Sequence, residues 1–585
     1  MVEKTASAYI AAALKARGVE RVYALCGGHI MDIWMAIVEV GIEIIDVRDE
    51  RSAVYMAHAS AAVSGRLGVA LVTAGPGVTN AMTGIANAHM SRIPVLVLSG
   101  TPPRPQEHRG ALQDMSHTAL LCSITRMART SRHATAVPRD LDGAISAALG
   151  FTGEPGPAFL DFPVDVQRDA VPAALWLSEH LRGIAKPRTR ALDQDLDAAV
   201  AQIAKAVRPV LITGRGCNGV EPEVLAEFLS QAGAGYLDTG ESKGLLANTH
   251  SAHIGAMRGV AMKEADLVIT LGRKLDFQLA YGSPAVFAHA SLLRISDVAQ
   301  ELLDNRLADV ALLGDITTSL QELTQRLRKQ SSSQPLKRDW LASMQTKHRE
   351  RSQGLQARLQ DAPADAQGRL NPNRLLGEIA KRLDDNAIVI ADGGDFLSLA
   401  RVALNPATYL DPGPLGCIGL ATPFAIGAAK TAPERQVVAV TGDGAFGFTA
   451  IELDTAVRHQ APIMVVVSNN GSWAIETRDQ QDRFNKVAGT QLQFADHAGM
   501  ARAFGMRAWR ITTEAELAPA LDEAFAALAN GEPVLVDVVT SPEVASADSK
   551  SGLAWVPLYQ AVQVWDDQEQ QWLGYAGQAE SPASV

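Results

Sequence analysis

The chain has 585 residues, which exceeds what one hydrophobic core ordinarily serves, so two to four domains are expected. Hydrophobic residues make up 47% and charged residues 20%, a balance that is typical of soluble globular proteins and excludes extended disorder. The net charge of -11 argues against a nucleic-acid partner and against binding to an anionic membrane surface.

Cysteine use and hydropathy predict a cytoplasmic protein. The segment from Met1 to Gly18 lacks the long apolar core of a signal peptide, and no run reaches the roughly 18 apolar residues of a membrane span. The cysteines are widely spaced, contain no Cys-x-x-Cys pair and are expected to be reduced. They are Cys26, Cys122, Cys217 and Cys417.

The first part of the chain alternates short apolar runs with helix-length segments, the signature of a parallel α/β sheet. His29 follows the first run, and Glu50 follows the second. A histidine titrates in the range that suits proton transfer, whereas a glutamate in a first helical turn also interacts favourably with the helix dipole. The residues alone therefore leave the role of each open. The runs are at residues 22–25, 42–47, 69–72 and 94–98.

Two clusters of proline and polar residues divide the chain into three parts. The first cluster lies at residues 184–189, and the second runs from residue 330 into a charged stretch that ends near Pro372. Apolar runs at residues 209–212 and 267–270 continue the α/β pattern in the middle part. We predict domains at residues 1–183, 190–330 and 370–540, followed by a tail at residues 541–585.

The third part carries the most informative motif. An apolar run at residues 437–440 leads into Gly442-Asp443-Gly444, and a second run at residues 463–467 leads into Asn469-Asn470. Either half alone fits an ordinary turn, but the pair places both at the carboxyl ends of strands, where α/β sheets bind ligands. Aspartate and asparagine supply oxygen ligands for a hard cation, and glycines let phosphate approach the backbone. The pair predicts a metal ion carrying a diphosphate.

The tail after residue 539 differs in composition from the rest of the chain. Three of the eight tryptophans, Trp555, Trp565 and Trp572, lie there among acidic residues and glutamines. Two interpretations stay open: the tail packs on its own or a neighbouring subunit, or it forms a lid over the active site.

The Gly-Asp-Gly and Asn-Asn pair resembles the motif of thiamine diphosphate enzymes. In that family a pyrimidine-binding and a diphosphate-binding domain of like topology flank a middle domain. The third part here echoes the first, because Gly75-Pro76-Gly77 and Ile93-Pro94 parallel Gly442-Asp443-Gly444 and Ala461-Pro462. The resemblance implies three α/β domains with parallel sheets, thiamine diphosphate and Mg²⁺ as cofactors, and a homodimer or homotetramer with the cofactor between two chains.

The resemblance also assigns the cofactor residues. Glu50 matches the carboxyl that hydrogen-bonds the pyrimidine ring and so promotes loss of the thiazolium proton. Ile418 matches the apolar wedge beneath the two rings, where many relatives have methionine. Metal binding is implied for the side chains of Asp443 and Asn470 and for the carbonyl of Ser472. Further cofactor contacts are assigned to Gly442, Gly444 and Ala445.

Residues on the substrate side favour a lyase. His29 and Gln113 resemble a pair that faces the substrate in benzaldehyde lyase and its relatives, although a glutamine can only orient a group and cannot act as a base. Residues 473–476, which include Glu476, resemble bacterial 2-hydroxyacyl-CoA lyases, as does the tail segment 546–552. Residues 275–282 loosely resemble a pattern of oxalyl-CoA decarboxylase and 2-hydroxyacyl-CoA lyase.

These features predict cleavage of a 2-hydroxyacyl-CoA to formyl-CoA and an aldehyde or ketone. Cations of the middle part are candidates for binding the CoA phosphates. The alternative is a carboligase of the acetolactate synthase or benzaldehyde lyase type that acts on 2-oxo acids or aldehydes, and a non-catalytic relative is a third possibility. The candidate cations are Arg215, Lys243, Arg258, Arg273 and Lys274.

Overall fold

The computed structural model describes residues 4–176, 181–283, 286–287, 290–331, 339–546 and 549. Within them the chain forms three parallel β-sheets, each flanked by helices, which confirms the predicted fold class. Long apolar runs form these strands because helices cover both faces of each sheet. No helix among the described residues is long and apolar enough to cross a membrane.

The first sheet has six parallel strands in the order β2-β1-β3-β4-β6-β5. Its strands are β1 (Arg21–Ala24), β2 (Glu43–Asp46), β3 (Gly68–Val72), β4 (Val95–Thr101), β5 (Met127–Thr130) and β6 (Pro157–Pro163). Its helices are α1 (Ala6–Ala16), α2 (Met31–Glu39), α3 (Glu50–Ser64), α4 (Pro76–Met90), α5 (His117–Leu121), α6 (Val137–Ala148) and α7 (Val164–Arg168).

The middle sheet has five parallel strands in the order β11-β10-β9-β7-β8. Its strands are β7 (Pro209–Thr213), β8 (Gly235–Leu237), β9 (Leu267–Leu271), β10 (Ser291–Ser296) and β11 (Val310–Leu313). Its helices are α8 (Asp193–Lys205), α9 (Pro222–Ala232), α10 (Arg258–Glu264), α11 (Ala299–Leu302) and α12 (Ile316–Ser331).

The third sheet has six parallel strands in the order β13-β12-β14-β15-β17-β16, which repeats the topology of the first. Its strands are β12 (Ile388–Asp392), β13 (Thr408–Leu410), β14 (Val437–Gly442), β15 (Met464–Asn469), β16 (Arg507–Ile511) and β17 (Val534–Val539). Its helices follow α13 (Asp339–Gln360): α14 (Pro372–Ala380), α15 (Gly394–Ala403), α16 (Ala421–Thr431), α17 (Asp443–Phe446), α18 (Leu453–Arg458), α19 (Ala474–Phe484), α20 (His497–Ala503) and α21 (Glu514–Ala529).

The charged stretch that the sequence predicted as a linker instead contains α13, a helix of 22 residues. Leu341 and Met344 on this helix are buried in the core of the middle domain, and Leu359 is buried in the core of the third. Trp340 donates its indole N–H to Glu264 over 2.8 Å. The stretch therefore joins the two domains as packed structure.

Helices α3 and α16 join the first domain to the third. Gly427 is needed there because a Cβ at this position would lie 2.4 Å from the backbone oxygen of Met56. The Thr431 hydroxyl donates to Ser60 Oγ over 2.8 Å, and the ring centroids of His58 and Phe424 are 4.8 Å apart. This close helix pair fixes the orientation of the two domains within one chain.

We expect His58 to make the folded chain sensitive to acid. Burial, together with the charge of Arg215, lowers the pKa of His58 from 6.5 to about 3. Below pH 6.5 the unfolded chain therefore takes up a proton that the folded chain excludes, so stability is lost as the pH falls from 6.5 towards 3. At about pH 4.5 the loss from this residue is about 2 to 3 kcal/mol in the free energy of unfolding.

The measurement is urea unfolding at about pH 7.5 and about pH 4.5, where linkage predicts that His58→Gln loses less stability on acidification than the wild type. His133→Gln replaces an exposed histidine and is the control. An equal acid sensitivity of wild type and His58→Gln would contradict the prediction.

Candidate active site

Glu50 is held at the start of α3 by a local cap and a neighbouring helix. The Asp49 side chain caps α3 by accepting a hydrogen bond from the Arg51 N–H over 2.8 Å. Glu50 is buried, and its Oε2 accepts a hydrogen bond from Asn80 Nδ2 over 3.0 Å. A Cβ on Gly77 would lie 3.3 Å from Glu50 Oε1, so the loop before α4 approaches the carboxylate closely. The carboxylate is thus fixed in position.

His29 and Gln113 share this region of the first domain. The Gln113 side chain interacts with the His29 imidazole and favours its protonated form. Burial lowers the pKa of His29 below its usual 6.5, and the interaction with Gln113, which raises the pKa, opposes that shift only in part. Gly75 has a φ of +60°, and a Cβ there would lie 2.8 Å from the Cβ of Gln113. The loop of residues 73–77 therefore contacts both Glu50 and Gln113.

The third domain brings the predicted metal ligands together. Strands β14 and β15 are paired with Gly442 opposite Ser468, so Asp443 and Asn470 follow adjacent strand ends. Asp443 Oδ2 accepts a hydrogen bond from the Gly471 N–H over 2.9 Å, and Asn470 Oδ1 accepts one from the Ser472 N–H over 3.0 Å. Burial raises the pKa of Asp443 to about 6, although backbone N–H groups around it lower the value.

The donor set suits a hard cation that keeps its phosphate and water ligands. In the described part of the chain, no cluster of three or more His, Cys, Asp or Glu residues is placed to hold a metal ion. One carboxylate with an amide and a carbonyl oxygen is instead the small oxygen set that Mg²⁺ uses. A buried carboxylate of raised pKa is also a group that a bound cation would stabilise in its charged form.

Space beside Gly442 fits a phosphate. Gly442 has an ordinary φ of -75°, and a Cβ there would meet nothing nearer than the Gly393 carbonyl oxygen at 3.9 Å. The packing of the protein therefore gives no reason for glycine at this position, whereas a ligand lying against the backbone does. Gly444 differs, since a Cβ there would lie 2.6 Å from the ring of Trp473. Ala445 lines the same turn and contacts Gly393.

Ile418 is half-buried in a turn that Asp392 organises. Asp392 ends β12, and its Oδ2 accepts hydrogen bonds from three consecutive backbone N–H groups directly after Ile418, over 2.9, 2.8 and 3.1 Å. Burial raises the pKa of Asp392 to about 6. Sequence reasoning missed this residue, although an aspartate at a strand end followed by Gly393-Gly394 is a detectable signal. The N–H groups belong to Gly419, Leu420 and Ala421.

Glu476 lies in the first turn of α19 and is exposed. Beside it, Arg478 pairs with Asp395, whose Oδ1 also accepts a hydrogen bond from the Ser546 N–H over 2.8 Å. The start of the tail is thus attached near Glu476. Trp555, Trp565 and Trp572 lie outside the described residues, as do residues 547, 548 and 550–552 of the lyase-like segment, so the role predicted for the tail stays a prediction.

Four of the five candidate CoA-binding cations make internal contacts. Arg273 donates two hydrogen bonds to Asp276, both over 2.8 Å, and Lys274 pairs with Glu154 at 2.5 Å. Lys243 and Arg258 donate to backbone carbonyls over 2.8 and 2.9 Å. Lys243 and Lys274 thus join the middle domain to its neighbours, and Arg258 and Arg273 act within it. This leaves Arg215, whose buried Nε has no hydrogen-bond partner among the described residues.

The segment that loosely resembles the decarboxylase pattern serves packing. Leu275 and Leu279 are buried in the core of the middle domain. Ala280 and Tyr281 have positive φ angles of 52° and 55°, so the chain turns sharply between them. These contacts explain the segment without a ligand.

The candidates form two groups, one in the first domain and one in the third. Glu50, His29 and Gln113 surround the loop before α4, whereas the remaining candidates surround the ends of β12, β14 and β15. Between these groups, the described residues form no hydrogen bond or ion pair. The second group consists of Ile418, Gly442, Asp443, Gly444, Ala445, Asn470, Ser472 and Glu476.

Comparison with known proteins identifies the family. The model "Thiamine pyrophosphate enzyme, N-terminal TPP binding domain" matches residues 4–120, the central-domain model of the same enzymes matches residues 196–323, and the C-terminal TPP binding domain model matches residues 392–538.

Full-length relatives agree with these matches. The chain is 31% identical to human (Homo sapiens) 2-hydroxyacyl-CoA lyase 2 over 575 residues, which cover 91% of this chain and 89% of the relative. It is 31% identical to 2-hydroxyacyl-CoA lyase 2 of Caenorhabditis elegans over 576 residues, 91% of this chain and 88% of the relative. It is 32% identical to an acetolactate synthase large subunit of Mycobacterium tuberculosis over 548 residues, 92% of this chain and 96% of the relative. The chain therefore belongs to the thiamine pyrophosphate enzyme family and is a thiamine diphosphate-dependent enzyme.

Proposed function

We propose that the chain is a lyase, dependent on thiamine diphosphate and Mg²⁺, that cleaves a 2-hydroxyacyl-CoA to formyl-CoA and an aldehyde or ketone. The observation that carries this proposal is that residues 75–77 approach both Gln113 and the buried Glu50 carboxylate, with His29 interacting with Gln113, in a chain similar to 2-hydroxyacyl-CoA lyase 2. A histidine whose pKa is lowered by burial suits a reaction in which a hydroxyl proton leaves as the carbon chain breaks.

Different residues are proposed to bind the metal ion, the diphosphate and the pyrimidine ring of the cofactor. Bound thiamine diphosphate supplies a carbon nucleophile that adds to a carbonyl carbon and stabilises the electron pair left when a bond to that carbon breaks. Asp443, Asn470 and the Ser472 carbonyl would hold Mg²⁺, and Gly442 would let a phosphate approach the backbone. Glu50, fixed by Asn80, exchanges a proton with the pyrimidine ring.

The substrate residues direct a second proton. Because burial lowers the pKa of His29, its imidazole is neutral at neutral pH and is able to accept the proton of the substrate 2-hydroxyl. Gln113 orients that imidazole. As the hydroxyl carbon becomes a carbonyl, the bond to the thioester carbon breaks, and a proton delivered to the thioester carbon completes formyl-CoA. Exposed Glu476 at the start of α19 is the proposed group for that delivery.

A second candidate function is an acetolactate synthase-type carboligase. The support is the similarity to the mycobacterial acetolactate synthase subunit, which is 32% identical to the chain, against 31% for the human lyase. Such an enzyme would keep every proposed cofactor residue and would differ in the substrate that meets His29 and Gln113.

We also propose at least a dimer, either a homodimer or a homotetramer. The support is that Glu50 and Asp443 lie in different domains and share no hydrogen bond among the described residues, although the resemblance assigns both to one cofactor. A second copy would supply the missing half of each site.

The test offers both substrates to the purified enzyme. With thiamine diphosphate and Mg²⁺ present, 2-hydroxyisobutyryl-CoA is expected to yield formyl-CoA and acetone in equal amounts. Liquid chromatography of the thioesters measures the conversion. Pyruvate is offered separately. Acetolactate from pyruvate without cleavage of the thioester would contradict the lyase and favour the carboligase.

A further inference from the structure

His117 and Asp161 form a buried pair behind the first-domain candidates. Both side chains are almost fully buried, and His117 Nδ1 lies 2.9 Å from Asp161 Oδ2. On its other side, His117 Nε2 accepts a hydrogen bond from the Gly75 backbone N–H over 2.9 Å. The three groups form a chain from strand β6 through α5 to the residue that caps α4.

The hydrogen bonds define the protonation of the ring. Because the Gly75 N–H donates to Nε2, that nitrogen carries no proton, and the imidazole proton lies on Nδ1, where it donates to Asp161. Asp161 therefore selects the tautomer that leaves Nε2 free to accept. The opposite tautomer would place two N–H groups against each other.

Gly75 is held in a conformation that needs such an anchor. Its φ of +60° and ψ of -109° are accessible to glycine and costly for other residues. Gly75 lies so close to Gln113 that a Cβ would be 2.8 Å from the Gln113 Cβ. Two residues later, a Cβ on Gly77 would be 3.3 Å from Glu50 Oε1. Asn80, the donor to Glu50, lies on the first turns of α4, which Gly75 caps. A shift of Gly75 would move the contacts of both candidates.

Stability alone gives a poor account of this pair. Asp161 Oδ1 is buried without a hydrogen-bond partner, and among the described residues only His117 bonds the Asp161 carboxylate, through Oδ2. A buried carboxylate with an unsatisfied oxygen costs free energy that an apolar residue would avoid. A cost of this kind is typical of groups that preorganise a site.

We propose that His117 and Asp161 are positioning residues that hold the loop of residues 73–77 in the geometry that places Glu50 and Gln113. The pair touches neither cofactor nor substrate in this role. The inference rests on the proposed function only in naming Glu50 and Gln113 as groups of the active site, since the hydrogen bonds stand independently.

Two substitutions of His117 separate its two hydrogen bonds. Glutamine places a polar group where Nε2 lies and can still accept from the Gly75 N–H, whereas asparagine places its amide N–H where Nδ1 lies and keeps only the bond to Asp161. His117→Asn is expected to lower kcat/KM about 100-fold, the scale of a misplacement of about 1 Å, while His117→Gln stays within roughly tenfold of wild type. Thermal unfolding of both variants measures any general loss of stability.

The result that overturns the proposal is equal activity of the two variants, or a loss in His117→Asn that follows its loss of thermal stability. A second readout needs no activity: ¹⁵N-histidine NMR of the wild type is expected to show His117 protonated at Nδ1, and a proton at Nε2 would also overturn the proposal. If the wild type cleaves no acyl-CoA, the lyase proposal fails, and the same variants are compared in carboligation of pyruvate together with the NMR measurement.

Discussion

Replacing Glu50 with glutamine is expected to lower kcat by about 100- to 10,000-fold, the range that proton transfer by a positioned side chain contributes. Glutamine has nearly the same size, and its amide oxygen can still accept the hydrogen bond from Asn80. The amide cannot exchange a proton as the carboxylate does. The variant therefore removes the proton transfer and leaves the packing at the start of α3 in place.

Steady-state kinetics measures the loss, and binding of thiamine diphosphate shows whether the site remains assembled. Glu39→Gln changes an exposed glutamate of the same domain and is the matched control, with activity expected at the wild-type level. Unchanged activity of Glu50→Gln would remove Glu50 from the mechanism and would reopen the choice of proton acceptor in the first domain.

Strand positions were predictable because both faces of each sheet are covered. The runs at residues 437–440 and 463–467 are continuous and apolar, and they form the buried strands β14 and β15. The similarity between Gly75-Pro76-Gly77 and Gly442-Asp443-Gly444 was also meaningful, since each follows the third strand of a sheet with the same strand order. The apolar runs and the repeated glycine motifs were therefore sufficient to predict the fold class.

Helix α13 was missed because its apolar residues are few among many charged ones. Leu341, Met344 and Leu359 bury against two different domains, so no single continuous apolar face appears in the sequence. A charged helix that bridges two domains has the composition of a linker, and only its tertiary contacts distinguish the two.

The supporting residues of the site were not predictable for a related reason. Asp392 acts on N–H groups 27 to 29 residues away, and Asp161 acts on His117 over 44 residues. The sequence shows that an aspartate can accept a hydrogen bond, but only the folded structure shows which N–H group donates to it. Motifs therefore revealed groups that would touch the cofactor, while the groups behind them required the structure.

The repeated topology places different chemistry at equivalent loops. In the first domain the segment after the third strand packs against Glu50 and Gln113, which are proposed for proton transfer and orientation. In the third domain the corresponding segment carries Asp443, which is proposed as a ligand of a cation. In the proposed dimer, each site would take one loop of each kind, from two chains.

Replacing Asp443 with asparagine is expected to weaken binding of Mg²⁺ and of thiamine diphosphate together, by at least about 10- to 100-fold, because even residues behind a metal ligand have effects of this size. The carboxylate is the one charged oxygen ligand in the proposed set, and an amide oxygen attracts a divalent cation less strongly. Asparagine retains an oxygen that can accept from the Gly471 N–H, so the turn is expected to keep its shape.

Stability separates loss of the metal from loss of the fold. Burial raises the pKa of Asp443 to about 6, so at neutral pH the metal-free wild type bears the cost of a buried charge that asparagine removes. Metal-free Asp443→Asn is therefore expected to unfold at a temperature no lower than that of the metal-free wild type. Added Mg²⁺ and thiamine diphosphate should raise the unfolding temperature of the wild type much more than that of the variant.

Gly442→Ala provides a matched variant at the same turn. Its φ of -75° and the absence of a neighbour nearer than 3.9 Å predict normal folding, while the added methyl group occupies the space assigned to the phosphate. It should bind thiamine diphosphate weakly, as Asp443→Asn does, but for a steric reason that added Mg²⁺ does not overcome. Wild-type affinity for both ligands in Asp443→Asn would move the metal site away from the end of β14.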